Sequence, residues 1–118
     1  MPARYRRYMN AATRLATYGT LAPGRPNHHQ LAGLNDRWGT GIVRGDLAAE
    51  GWGAGLGYPA LVLDPRGGPI EVRVFESDDL PGHWFRLDAF EGEGYRRVVA
   101  DVETPGGTVQ AWVYVAAR

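Results

Sequence analysis

Apolar and polar residues alternate along several short stretches of the chain, a pattern typical of half-buried strands. Glycine and proline separate these stretches and favour turns between them. The predicted strands are residues 15–18, 38–47, 58–63, 70–75, 98–104 and 108–115. The third and fourth strands, on either side of a turn, are predicted to form a hairpin, as are the last two.

The segment between the two predicted hairpins is predicted to be a helix. Ser77 or Asp78 is a suitable N-cap, and Pro81 suits the first turn because no N–H is needed there. Gly92 and Gly94 are predicted to end the helix, since glycine is common directly after helix C-termini.

This helix has an apolar face that also carries a carboxylate. Three large side chains fall within about 60° of one another on a helical wheel: Leu80, Trp84 and Leu87. Glu91 projects inside the same wedge, at the negative end of the helix dipole. Burial and the dipole both disfavour a charged group, so we predict a raised pKa for Glu91. The alternative is that the helix frays before Glu91 and the side chain turns to water.

The chain shows no internal repeat, linker or low-complexity segment, so we predict one domain. It is predicted to span residues 15–118, after a basic N-terminal extension over residues 1–14. A shorter helix is predicted over residues 26–34. Loops are predicted over residues 19–24 and 51–57, where glycine is frequent.

Composition removes several classes of chemistry. The absence of cysteine excludes disulfides, thiolate zinc sites and a cysteine nucleophile. All 13 basic residues are arginine, so a Schiff-base lysine and a phosphate-loop lysine are absent too. With 17 glycines and 8 prolines, the chain favours turns and short strands over a helical bundle.

The charge balance bears on partners and location. Thirteen acidic residues balance the 13 arginines, and a neutral chain is a poor candidate for binding nucleic acid or an anionic membrane. Residues 1–44 contain seven arginines but only one acidic residue, Asp36. Either the two halves pair within one fold or this region forms an anion-attracting face. The chain has no membrane-spanning apolar stretch, and residues 1–10 lack the apolar core of a secretory signal, so we expect a cytoplasmic protein.

Common catalytic motifs are missing. The glycines of residues 51–57 do not match a dinucleotide-binding fingerprint. His28, His29 and His83 do not form a metal-ligand pattern, and we expect no metal. Ser77, the single serine, lies at a cap position, which excludes serine hydrolases of the G-x-S-x-G type. Acid–base chemistry on a carboxylate remains, together with backbone recognition at a glycine turn.

Two segments resemble the γ-glutamylcyclotransferase (AIG2-like) family. The first, Tyr18-Gly-Thr-Leu-Ala-Pro-Gly-Arg-Pro-Asn-His28, resembles the signature loop, and its Pro-Asn-His end is similar to the γ-glutamylamine branch. The second, Leu87-Asp-Ala-Phe-Glu-Gly-Glu-Gly-Tyr-Arg-Arg97, resembles the segment that holds the catalytic glutamate. Weaker similarities occur in Tyr58-Pro-Ala-Leu-Val62 and Ala111-Trp-Val-Tyr114.

The resemblance implies an α+β fold with a barrel-like mixed sheet and few short helices. It implies that Glu91 is the proton acceptor of a cyclotransferase that releases 5-oxoproline and a free amine or amino acid. The substrate would be a small γ-glutamyl compound, with no cofactor, and the protein a monomer or weak homodimer. The residues implied to bind substrate are Tyr18, Gly19, Thr20, Leu21, Tyr95 and Tyr114. Val72 and Arg73 depart from the glycine and acidic residue that the family often has before the aromatic residue, here Phe75.

Two alternatives stay open at this stage. The chain could be a small-ligand-binding or interaction module that retains the pocket without catalysis, although a buried base has no use in a mere binder. It could also be a biosynthetic enzyme that removes a γ-glutamyl protecting group. That enzyme would share the chemistry and differ only in the leaving group.

Overall fold

Strands make up most of the computed structural model, which describes residues 10–18, 28–48 and 60–117. The strands are β1 (Arg14–Thr17), β2 (Arg37–Ala48), β3 (Ala60–Leu63), β4 (Gly68–Glu76), β5 (Tyr95–Thr104) and β6 (Gly107–Ala116). The described helices are the α-helix α1 (Trp84–Glu91) and two short 3-10 helices, His28–Leu31 and Leu80–Gly82, and Asn10 and Ala11 are helical as well. The loops predicted over residues 19–24 and 51–57 lie outside the described residues.

The strands form one mixed sheet that closes on itself. The order β1–β4–β2–β3–β6 returns to β1 through a parallel pairing in which Leu15 lies opposite Trp112. Strand β5 pairs with β6 along its length and also reaches β2, where Ile42 lies opposite Glu103. The result is a five-strand barrel accompanied by α1 and short helical segments, which confirms the α+β barrel-like fold that the resemblance implies.

Alternating residues of the strands divide between two apolar clusters, because successive side chains point to opposite faces of a sheet. The barrel interior is filled by small and β-branched residues such as Val43, Val72 and Val113. The outer face of the sheet packs against α1 through larger residues, and these include the predicted wedge: Leu15, Phe75, Leu80, Trp84, Leu87 and Tyr114. The sheet therefore carries α1 on its outside.

The residues directly before β1 also contact the helical side of the sheet. Ala11 is fully buried. The carbonyl oxygen of Ala12 accepts a hydrogen bond from Trp84 Nε1 at 3.0 Å. The carbonyl oxygen of Thr13 accepts one from the Ser77 N–H at 2.9 Å. The described end of the predicted N-terminal extension is thus packed against the segment that leads into α1.

The hairpin predicted from residues 58–63 and 70–75 is wrong. Strands β3 and β4 both run antiparallel to β2, and therefore in the same direction as each other. The twelve-residue β2 is long enough to pair with β4 over its first part and with β3 over its last part. The intervening turn lies close against β2, since a Cβ on Gly67 would lie 2.7 Å from Gly45 Cα. The second predicted hairpin, β5–β6, is confirmed.

The predicted start of the long helix at Ser77 or Asp78 is also wrong. Ser77 instead stabilises the turn that follows it, because its Oγ accepts a hydrogen bond from the Asp79 N–H at 3.1 Å. Pro81 lies in the 3-10 helix Leu80–Gly82, and α1 begins only at Trp84. Of the helix predicted over residues 26–34, the described part is the 3-10 helix His28–Leu31. None of the helices within the described ranges is long and apolar enough to cross a membrane.

Candidate active site

Glu91 is the last residue of α1 and is partly buried. The helix continues through Glu91, so the alternative in which it frays earlier is wrong. Gly92 then ends it with φ 81° and ψ −172°, a backbone conformation that essentially only glycine adopts. Burial raises the pKa of Glu91 from 4.5 to about 7, in the direction that the wheel position predicts.

Three tyrosines from three strands lie close enough to Glu91 to sense its charge: Tyr18 after β1, Tyr95 in β5 and Tyr114 in β6. Burial is the main cause of the raised pKa of each phenol, and the negative charge of Glu91 raises it further. The structure therefore brings four of the predicted site residues to one end of the barrel. Gly19, Thr20 and Leu21 lie outside the described residues, although Gly19 directly follows Tyr18 in the chain.

The hydroxyl of Tyr18 closes a gap in the sheet. Along β6, Val113 lies opposite β1 and Val115 lies opposite Leu61 of β3, so Tyr114 falls where one neighbour ends and the next begins. Tyr18 donates a hydrogen bond to the Tyr114 carbonyl oxygen at 2.7 Å and accepts one from the Leu61 N–H at 2.8 Å. Its single proton is thereby used within the protein.

The hydroxyl of Tyr114 is also engaged. It donates to Asp88 Oδ1 at 2.8 Å. Asp88 receives two further hydrogen bonds from Arg97, from Nε at 2.8 Å and from Nη2 at 3.2 Å. Sequence reasoning did not single out Asp88 or Arg97. The available signal was their position, since both lie in the segment that resembles the family's glutamate region.

Tyr95 differs from the other two tyrosines. Its side chain is partly buried and feels the charge of Glu91, but within residues 10–18, 28–48 and 60–117 its hydroxyl has no hydrogen-bond partner. Of the three phenols, Tyr95 is the one whose hydroxyl is not used by another described residue.

Substituting Tyr18 with phenylalanine should destabilise the barrel. The change leaves the Leu61 N–H and the Tyr114 carbonyl without their partner, at a cost of about 1–3 kcal/mol for each buried unpaired group. Tyr95→Phe is the matched control and is expected to leave the free energy of unfolding within about 0.5 kcal/mol of the native value. Urea denaturation of both variants measures the difference. Equal stabilities would show that the Tyr18 hydroxyl does not stabilise the sheet.

Val72 and Arg73, where the chain departs from the family pattern, both line a cavity of about 720 Å³. Val72 is buried in the barrel interior, and Arg73 is exposed. Tyr18 also lines this cavity, but Glu91 does not. Among the described side chains, no group of three or more histidines and carboxylates is placed to hold a metal ion.

Comparison with known proteins places the chain in a family. The family model described as gamma-glutamyl cyclotransferase, AIG2-like, matches residues 15–118. YkqA from Bacillus subtilis is 32% identical with a TM-score of 0.68, over 88% of this chain and 35% of that one. An AIG2-like protein from Mus musculus is 27% identical with a TM-score of 0.69, over 91% and 78% of the two chains. The protein PH0828 from Pyrococcus horikoshii is 27% identical with a TM-score of 0.61, over 90% and 79%.

These similarities agree with one another over most of the chain. The chain spans about a third of the length of YkqA and more than three quarters of the mouse and archaeal proteins. No curated protein matches it at a significant level. The family match covers nearly the whole chain and includes both segments that carry the resemblance. The chain therefore belongs to the gamma-glutamyl cyclotransferase, AIG2-like family.

Proposed function

We propose that this protein converts a γ-glutamyl amino acid or a γ-glutamyl amine into 5-oxoproline and the free amine, with Glu91 as general acid and base. Membership of the family suggests cyclotransferase activity in general. The observation that carries the finer proposal is the Glu91 carboxyl, which is partly buried, has a pKa raised to about 7 and lies within electrostatic range of Tyr18. A base of this kind meets the main requirement of the reaction.

The first requirement is a proton acceptor for the substrate's α-ammonium group. An amine of this kind has a pKa of about 8, so an ordinary glutamate at about 4.3 accepts its proton poorly. Glu91, with a pKa of about 7, lies within roughly one unit of the donor. It is still largely ionised at slightly alkaline pH. Burial therefore improves the carboxylate as a base without abolishing its charge.

The free amine then attacks the substrate's own γ-carbonyl carbon and closes the lactam ring. The new bond joins the α-nitrogen to that carbon, and the bond between the carbon and the leaving nitrogen breaks. The attacking nitrogen gives up two protons in passing from ammonium to lactam N–H, and the leaving nitrogen gains two to depart as an ammonium. Protonated Glu91 supplies the first of these to the leaving nitrogen, so one carboxyl group serves both steps.

The second requirement is stabilisation of the negative charge on the carbonyl oxygen. We assign this to backbone N–H groups of Gly19, Thr20 and Leu21, the residues of the family's signature loop. One such donor contributes about 3 kcal/mol in other acyl-transfer enzymes. The loop continues directly from Tyr18, whose hydroxyl is anchored to β3 and β6. That anchor fixes the residue that directly precedes the loop.

The third requirement is a group that orients the substrate. Tyr95 is suited to this role because its hydroxyl is not used by the described residues and lies within range of the Glu91 charge. Tyr114 and Tyr18 support the site differently, through their bonds to Asp88 and to the strands. We therefore propose Tyr95 as the phenol that contacts substrate and the other two as its supports.

The experiment that tests this function is a product assay. The purified protein is incubated with a panel of γ-glutamyl amino acids and γ-glutamyl amines, and 5-oxoproline and released amine are measured together. The proposed function requires both products in equal amounts from at least one member of the panel. Saturable binding of the panel without any 5-oxoproline would favour the non-catalytic binding module instead.

A further inference from the structure

We propose that Arg97 is a positioning residue for Glu91. In this proposal Arg97 ties the last turn of α1 to the outer face of the sheet and keeps the Glu91 carboxyl at the tyrosine-lined end of the barrel. It acts through Asp88 and two tryptophans, without touching the substrate. The inference rests on the role of Glu91 in the proposed function and explains how that residue is held.

The guanidinium of Arg97 makes contacts on two sides. Its Nε and Nη2 atoms bind both carboxylate oxygens of Asp88, in the two-pronged geometry that arginine favours. Its Cζ atom also lies 4.2 Å from the ring centroid of Trp112 and 4.5 Å from that of Trp84. Trp84 and Asp88 belong to α1, whereas Trp112 belongs to β6 and Arg97 to β5. The guanidinium therefore joins the helix to the sheet.

The position of these contacts along α1 matters for Glu91. Asp88 precedes Glu91 by three residues, which on a helix is a rise of about 4.5 Å and places the two side chains on neighbouring faces. Helices as short as α1 are not stable alone, so tertiary contacts decide where their ends lie. Leu87 holds the middle of α1 in the apolar cluster, and Asp88 holds its last turn.

The Asp88–Arg97 contact is two-pronged and partly shielded from water, unlike an isolated surface ion pair. The Arg97 side chain is 19% exposed, and the Asp88 side chain is 45% exposed. Burial alone would raise the pKa of Asp88, but the hydrogen bonds from Arg97 and Tyr114 outweigh it and lower that pKa. Asp88 therefore stays ionised and continues to bind Arg97 throughout the pH range in which Glu91 titrates.

Three phenols from the described strands lie within range of the Glu91 charge. Tyr18 from β1, Tyr95 from β5 and Tyr114 from β6 all have raised pKa values and remain neutral phenols. The raised pKa of Glu91 itself comes from burial. If the last turn of α1 loosens, the carboxyl gains water and its pKa returns towards 4.5.

The test is to titrate the Glu91 carboxyl by carbon-13 NMR in the folded Arg97→Met variant, whose side chain keeps an unbranched apolar stem like that of arginine but lacks the charged guanidinium group. We expect the midpoint to fall from about 7 towards 4.5. We also expect kcat to drop by about 10- to 100-fold, as small misplacements of catalytic groups do. Simple loss of a nearby positive charge would instead raise the midpoint, so an upward shift overturns the positioning role.

Two further variants sharpen the test. Arg97→Lys keeps the positive charge but loses the two-pronged guanidinium geometry. It should lower the Glu91 titration midpoint by less than Arg97→Met does. If Arg97→Met does not fold, the lysine variant decides, and an unchanged midpoint in it contradicts the proposal. Arg44→Met is the matched control, because Arg44 makes a similar two-pronged contact with Glu103, between β2 and β5. It should leave the Glu91 midpoint unchanged.

The two readouts separate this inference from the proposed function. If the native protein forms no 5-oxoproline but the midpoint falls in Arg97→Met, the reaction is wrong and Arg97 still positions Glu91. If the native protein is active and the midpoint in the folded variant stays at about 7, the reaction stands and Arg97 has no positioning role.

Discussion

Replacing Glu91 with glutamine should reduce 5-oxoproline formation by about 100- to 10,000-fold, the range in which single general acid–base groups contribute. Glutamine has nearly the same shape but neither accepts nor donates the proton that the reaction moves. The helix and its packing should be unaffected, because Leu87 and Trp84 remain in the apolar cluster. Turnover within threefold of the native rate would remove Glu91 from the mechanism.

The same variant should be more stable than the native protein at alkaline pH. Folding raises the pKa of Glu91 from 4.5 to about 7, so the folded state binds its proton more tightly. The contribution of Glu91 to the free energy of unfolding is therefore greatest at low pH. It falls by up to about 3 kcal/mol as the pH rises from about 4.5 through 7. Glutamine removes this dependence. Urea denaturation of both proteins at pH 5 and pH 8 measures it, and an equal pH dependence would show that Glu91 ionises freely.

The second large effect is expected for Leu87→Ala. Leu87 is fully buried between α1 and the sheet, one turn before Glu91. Truncation removes apolar contacts and leaves a cavity, at a cost of about 2–5 kcal/mol in the free energy of unfolding. Thermal or urea denaturation measures this loss. It is large because a small domain has only about 5–15 kcal/mol of net stability.

Phe85→Ala is the matched control on the same helix. The Phe85 side chain is 90% exposed and contributes little to either apolar cluster. Its truncation should change the free energy of unfolding by less than about 0.5 kcal/mol. If the two variants lose similar stability, α1 does not pack against the sheet through the face described above.

Periodicity predicted the strands and the buried face of the helix because both depend on local spacing. Leu80, Trp84 and Leu87 recur at helical intervals, and all three are buried. The same spacing placed Glu91 within the apolar face, and burial raises its pKa accordingly. Residues close in sequence determine these features, so a single chain suffices to infer them.

Long-range pairing could not be predicted in the same way. Strand β3 pairs with β2 and β6, and no local pattern distinguishes this arrangement from a hairpin with β4. The Tyr18 hydroxyl occupies a gap that exists only because β1 and β3 meet the same strand in succession. The contact between Asp88 and Arg97 likewise depends on how α1 lies across β5 and β6. Each of these follows from topology.

The role of Glu91 as the base is best tested by the pH dependence of kcat/KM for 5-oxoproline formation by the native protein. A carboxyl group that burial holds at a pKa of about 7 must lose its proton before it can act as the base. The rate is therefore expected to fall on the acidic side with a midpoint near 7. A midpoint near 4.5, with full activity already at slightly acidic pH, would contradict it, since the base would then be an ordinary solvated carboxylate.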